Sequence, residues 1–183
     1  MQSATSSSIS LNLGPSGRAV AQPIDVDLLE ALYQHTSLER VSSAQYLSMS
    51  LWCLERELRG FSNFFKKESL LEQEHGFNFA KYIIARGQSV VLDEVTKPIQ
   101  EWKTIEELVT LSFQMEADVT TSLQQLYSMA ERSNDTRTNV FLDPVIDEQI
   151  KSEDEMAYLL GKVKFAKNDP SALFIIDNEL GIN

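Results

Sequence analysis

The stretch ESLLEQEHGFNF, residues 68–79, decides how the rest of the chain is read. It carries Glu72 and His75 three residues apart inside an otherwise apolar seam, and residues at that spacing share one face of a helix. Extended in both directions, the seam comprises Phe61, Phe64, Phe65, Glu68, Glu72, His75, Phe79 and Tyr82. That recurrence predicts an amphipathic helix from about Phe61 to Arg86, closed by Gly87. A buried carboxylate without a partner is costly, so such a group finds a hydrogen bond, a counter-ion or a metal. An inward Glu-x-x-His is one part of the carboxylate-bridged di-iron sites that helix bundles build.

The flanking sequence supplies the other helices. From Pro23 to about Gly60, Leu32, Thr36, Glu39, Ser43, Tyr46, Ser50 and Cys53 recur at steps of three and four, with Asp25 or Asp27 as cap and Gly60 as terminator. The short turn that follows predicts an antiparallel pair. Residues 88–101, QSVVLDEVTKPIQE, contain Pro98 and no helical period. Extended, this link reaches roughly 45 Å, enough to run the length of a helix of about 40 Å. A third helix from about Trp102 to Arg132 has Ile105, Val109, Ser112, Glu116, Val119, Leu123 and Leu126 on its stripe. After SNDTRT, a fourth runs to about Lys167 with Val145, Gln149, Ser152, Met156, Leu160 and Val163 inward. Pro144 either starts it as a first-turn proline or kinks it if it begins near Thr138. Pro170 opens a last helix whose SALFIIDNEL is too apolar to stand alone and is read as packing on another subunit.

The fold class is therefore all-α: a four-helix bundle with one long crossover and a short fifth C-terminal helix. Residues 1–22, rich in Ser and Gly, read as a flexible N-terminal tail, and residues 23–183 as one domain. A net charge of −11 disfavours nucleic acid and anionic membrane and favours cations. No run is long and apolar enough to span a membrane, and the N-terminus lacks a secretory signature. The lone Cys53, among Leu51, Trp52 and Leu54, reads as a buried thiol in a reducing compartment, the cytoplasm. The Ser-rich, acid-free start leaves a trimmed plastid transit peptide as a minor alternative.

The polar residues that interrupt the apolar stripes are Glu39 on helix one, Glu72 and His75 on helix two, Glu116 on helix three and Gln149 on helix four. Each falls near the middle of its helix. Three carboxylates, an imidazole and an amide at one level suit two iron ions bridged by Glu72. Carboxylates accommodate both Fe(II) and Fe(III), and a bridge holds two one-electron donors close enough to reduce dioxygen together. Tyr46, two turns beyond Glu39 on the same face, is either a core tyrosine bonded to Glu116 or Glu39 or a redox-active neighbour. His35, one turn before Glu39, is either a satisfied core or interface histidine or a ligand. Helix two contains no Met to ligate a haem, so no haem is expected.

With these residues in hand the chain resembles the ferritins, in particular the heavy-chain-like ferroxidase subunits seen in cyanobacteria. The resemblance covers about residues 25–180 and rests on LERVSSAQYLSMSLW with Glu39 and Tyr46, EQEH, QMEADVTTSL with Glu116, Trp102 at its interval before that glutamate, and DEQI with Gln149. It implies a 24-subunit homo-oligomeric cage that oxidises Fe(II) with dioxygen and stores a ferric mineral. It also implies that Glu39, Glu72 and His75 hold one iron, that Glu72 and Glu116 hold a second, and that Gln149 orients water, with Tyr46 beside them. Asp143 matches the acid of an iron-admitting pore, and a negative ring is what a cation pore needs.

The chain also departs from that pattern. Leu71 and Phe77 stand where the family often has inner-wall acids, leaving Glu74, and Glu68, one turn before Glu72, is a substitute staging ligand. Lys151 and Ser152 replace the acids of a third iron site, so two irons per subunit are expected. The alternative is a di-iron oxidase or peroxidase acting on an organic substrate or peroxide. The absence of a second histidine on helix four weighs against the symmetric sites many of those have.

Overall fold

The computed structural model describes residues 11–182. Residues 1–10, the first part of the expected tail, lie outside them. Five helices follow in order, α1 (Val26–Leu54), α2 (Arg59–Ala85), α3 (Ile105–Arg132), α4 (Thr136–Ala166) and α5 (Pro170–Ile182). No helix among the described residues is long and apolar enough to cross a membrane.

Local chemistry sets the boundaries. The Asp25 carboxylate accepts from the N–H groups of Asp27 and Leu28, and Asp135 from that of Thr138, satisfying first-turn donors that a helix leaves unpaired. Thr104 does the same for Glu107, so α3 begins after Trp102 rather than at it. Trp102 instead packs edge-on against Trp52, ring centroids 5.9 Å apart. α1 stops at Leu54, short of the expected Gly60, because Glu57 takes a left-handed conformation (φ 59°) that turns the chain. Gly60 lies inside α2, where a Cβ would sit 1.7 Å from the Asp177 carbonyl oxygen. Its missing side chain lets α5 cross the start of α2, and Asp177 Oδ1 accepts from the Phe61 N–H at 2.9 Å. The inward half of α5, with Ile176 buried and Leu173 and Leu180 packed on the core, therefore finds its partner within the chain. Phe174 and Ile175 remain exposed.

Pro144 is interior to α4 rather than its first residue, and without an N–H it releases the Val140 carbonyl. Residues 11–22 make a turn with a single bridge between Leu13 and Ala19. This turn rests on the end of α2, where Gly87 takes φ +82° and a Cβ would meet Val20.

The core is two apolar clusters. One gathers Tyr46, Met49, Trp52, Phe61, Phe65 and Leu108 with their neighbours, the other Leu28, Leu32, Phe79, Ile83, Leu123 and Leu142 with theirs. α1 and α4 run from the second cluster to the first, while α2 and α3 run the opposite way. Consecutive α2 and α3 are thus parallel, and the link between them must return along the bundle. It does so along α1: Tyr33 donates to Ser89 O, Arg40 to Asp93 O and Ser48 to Ile99 O, while Gln45 makes a paired contact with the backbone of Ile99. This is the expected crossover.

A candidate metal centre between the two cores

Between the two apolar clusters every long helix turns at least one polar group inward. Glu39, Glu72, Glu116 and Gln149 are all buried, and His75 is partly so. One carboxylate oxygen each from Glu39 and Glu72 and a ring nitrogen of His75 all lie within 4.8 Å of one another. His75 Nδ1 is 3.0 Å from Glu72 Oε2, as the three-residue spacing on α2 requires.

Glu116 completes the group from α3. It accepts a short hydrogen bond from the Tyr46 hydroxyl and a second, at 2.9 Å, from Gln149 Nε2, which also donates to the Glu116 backbone carbonyl at 3.1 Å. Of the two partners considered for Tyr46, the structure selects Glu116. Gln149 serves the helix carbonyl and the carboxylate together.

The electrostatics are those of a group short of positive charge. Burial raises the Glu39 carboxyl and Glu116, with the charge of Glu72 adding to the rise at Glu116. Burial drives Glu72 up to about 8, opposed by its hydrogen bond to His75 and helped by Glu39. His75 is pushed up to about 9: burial opposes the change, and Glu72, Glu39 and Glu148 outweigh it. Among the described residues neither Lys nor Arg pairs with any of these acids, and Glu39 Oε2 is buried with no hydrogen-bond partner. Buried charge normally demands a partner or a metal. A cation at this level would supply it.

Glu68 lies one turn nearer the first cluster on α2. It too is buried, its Oε1 is unpartnered, and burial together with the charge of Glu155 lifts it to about 7. Glu74 and Asp143 are exposed and stand apart from the buried group. Leu71 and Phe77 are exposed as well. His35 is wholly buried, with Nε2 2.9 Å from Glu39 Oε1 and Nδ1 2.8 Å from Ser122 Oγ.

Two neighbours escape the sequence reading. Glu148 Oε1 is 3.6 Å from His75 Nε2 although Glu148 is more than half exposed. Its place next to Gln149, about 100° round the helix, takes it off the apolar stripe, so periodicity cannot flag it. Ser122 gives no signal of its own, since a serine among Thr120, Thr121 and Leu123 reads as surface.

The family description "Ferritin-like domain" matches residues 29–166. A probable bacterial non-heme ferritin-like protein of Haemophilus influenzae is 26% identical over 155 residues, 85% of this chain and 94% of that protein. A bacterial non-heme ferritin of Staphylococcus haemolyticus is 29% identical over 154 residues, 84% and 93% of the two chains. In structure, the chain is similar to an open-pore ferritin from the archaeon Archaeoglobus fulgidus, with a TM-score of 0.85 at 28% identity, covering 87% of this chain and 99% of the other.

Proposed function

The chain belongs to the ferritin-like family, whose description covers residues 29–166, and on that premise we propose that it is an iron-storage subunit and a ferroxidase. Glu39, Glu72 and His75 hold one Fe(II), Glu72 and Glu116 a second, and Gln149 orients water beside the second. Each Fe(II) gives up one electron and dioxygen takes the two. The ferric product passes to a mineral inside a homo-oligomeric cage of about 24 subunits, as the resemblance to the ferritins implies, and closed symmetry is the usual form of soluble homo-oligomers.

The observation that carries the reading is Glu39: its Oε2 is buried and unpartnered, and one of its carboxylate oxygens lies within 4.8 Å of a Glu72 oxygen and a His75 ring nitrogen. An isolated core acid would have been satisfied by a neighbour. Tyr46 holds Glu116 in place and keeps its own proton, since burial and the Glu116 charge put its hydroxyl well above the usual phenol range. Glu68, Glu74 and Asp143 are transit sites in this scheme, with Asp143 at a pore and Glu68 next to the centre. The unpartnered oxygen of Glu68 supports its part.

The test is aerobic addition of Fe(II) to the purified apoprotein, followed by absorbance and by size. A cage-sized particle that oxidises about two Fe(II) per subunit in a fast phase supports the proposal. A monomer, or a Glu72→Ala variant that keeps the fast phase, overturns it.

A further inference from the structure

His35 is fully buried and sits one helical turn before Glu39. Its ring lies 4.3 Å, centroid to centroid, from Phe79 on α2, and its Nδ1 is 2.8 Å from Ser122 Oγ on α3. Two other helices thus fix the plane of the imidazole. Among the described residues, the group close enough to share a metal ion is Glu39, Glu72 and His75, and His35 is not in it.

His35 Nε2 is 2.9 Å from Glu39 Oε1. The distance suits a hydrogen bond but the direction is off-line, so Nε2 has no full partner, and neither has Glu39 Oε2. Neighbouring unsatisfied buried atoms are uncommon, and hydrogen bonds at a functional centre often align only when the site is loaded. A neutral imidazole has a single N–H, whereas a serine hydroxyl either donates or accepts. When Glu39 is a carboxylate, the N–H must be on Nε2, and Ser122 then donates to Nδ1.

We infer that His35 is a positioning residue for Glu39: anchored by Ser122, it holds Oε1 through Nε2–H and leaves Oε2 as the oxygen offered to iron. Partners of this kind orient a ligand and raise metal affinity without touching the metal. The inference rests on the iron site proposed above.

Co(II), whose visible absorption reports its ligands, is titrated into the apoprotein, and the thermal midpoint of each apoprotein is measured alongside. His35→Leu is expected to weaken Co(II) binding by roughly 10- to 100-fold and shift the band. Its apo midpoint should fall only slightly, because the Ser122 hydroxyl that loses His35 is only partly buried and can turn to water. His35→Gln, which restores an N–H toward Oε1, should bind close to the parent protein, and Ser122→Ala should weaken binding in the same direction as His35→Leu. Parental affinity in His35→Leu, or a His35→Gln variant as weak as His35→Leu, overturns the inference and leaves the proposed function standing. Glu39→Ala is the control: if the parent's Co(II) binding survives it, there is no Glu39 site and both readings fall.

Discussion

Two regions of this bundle bury charge, and they do so in opposite ways. At one end Arg86, just past α2, meets Asp135 at the start of α4 through two parallel contacts of 3.0 and 2.7 Å, with Thr138 and Tyr82 beside them. Both partners are about 93% buried. Each charge there is matched by its opposite, and the Asp135 carboxylate also caps α4. Against burial, which would raise it, the Arg86 hydrogen bonds bring the Asp135 carboxyl below its usual range. At mid-bundle, three carboxylates face His75 and a His35 that burial keeps from taking a proton, and burial raises every one of the acids. A matched pair is a finished piece of structure. An unmatched group is stable only as long as protons, or a cation, complete it.

Mutation does most harm at the matched end. Removing one member of a buried ion pair strands the other and costs about 3–5 kcal/mol. Asp135→Ala is therefore expected to lower the apoprotein's stability by that order in denaturant unfolding. Fe(II) oxidation measured well below the melting range should be kept, since the two regions share no partner. If Asp135→Ala unfolds like the parent, the pair is not what joins α2 to α4.

The unmatched centre should respond in reverse. Glu39→Gln keeps the shape and removes a charge that burial disfavours, so the apo midpoint is expected to rise by about 2–4 °C for each kcal/mol recovered. With Glu39 the iron ligand proposed above, Fe(II) oxidation should fall by more than the roughly 10- to 100-fold that loss of an outer partner causes. Stopped-flow absorbance and calorimetry on the same sample read both effects. A Glu39→Gln variant that is less stable than the parent would mean that the centre is held together by its charges, as the Arg86 pair is.

The sequence discloses these regions unequally. The centre is legible because its polar residues interrupt apolar stripes: the acids Glu39, Glu72 and Glu116 and the amide Gln149 stand at core positions of helical repeats. The crossover is legible too, since residues 88–101 lack a period and are long enough to return. Hidden are the features that depend on one helix meeting another. Gly60 looks like a terminator and is a clearance for α5; only the approach of Asp177 reveals it. Arg86 and Asp135 read as a helix end and a turn, because nothing in two separated polar residues says that they will be buried together. Glu148 and Ser122 lie off the stripes and become neighbours of the centre only once the helices are packed.

The smallest expected effect sharpens the contrast through pH. Glu72 is driven up to about 8 and, as a carboxylate, lifts His75 to about 9, so the coupled pair keeps about one proton more in the folded chain than groups with ordinary values near 4.3 and 6.5. Between those limits the native state binds more protons than the unfolded state, so stability falls as pH rises. His35, held down to about 4, has the opposite slope, but only below its unfolded value near 6.5. From pH 6.5 to 8.5 the centre therefore destabilises the apoprotein with each step, on the order of 1 kcal/mol per pH unit. The Arg86–Asp135 pair is fully ionised in both states throughout that window and contributes no slope. A bound divalent cation stands in for the lost protons, so titration with Zn(II) or Co(II) should flatten or invert the trend in thermal midpoint. If the apoprotein's midpoint is level from pH 6.5 to 8.5 and Glu72→Gln leaves that profile unchanged, the mid-bundle acids are already compensated and the contrast between the two regions fails.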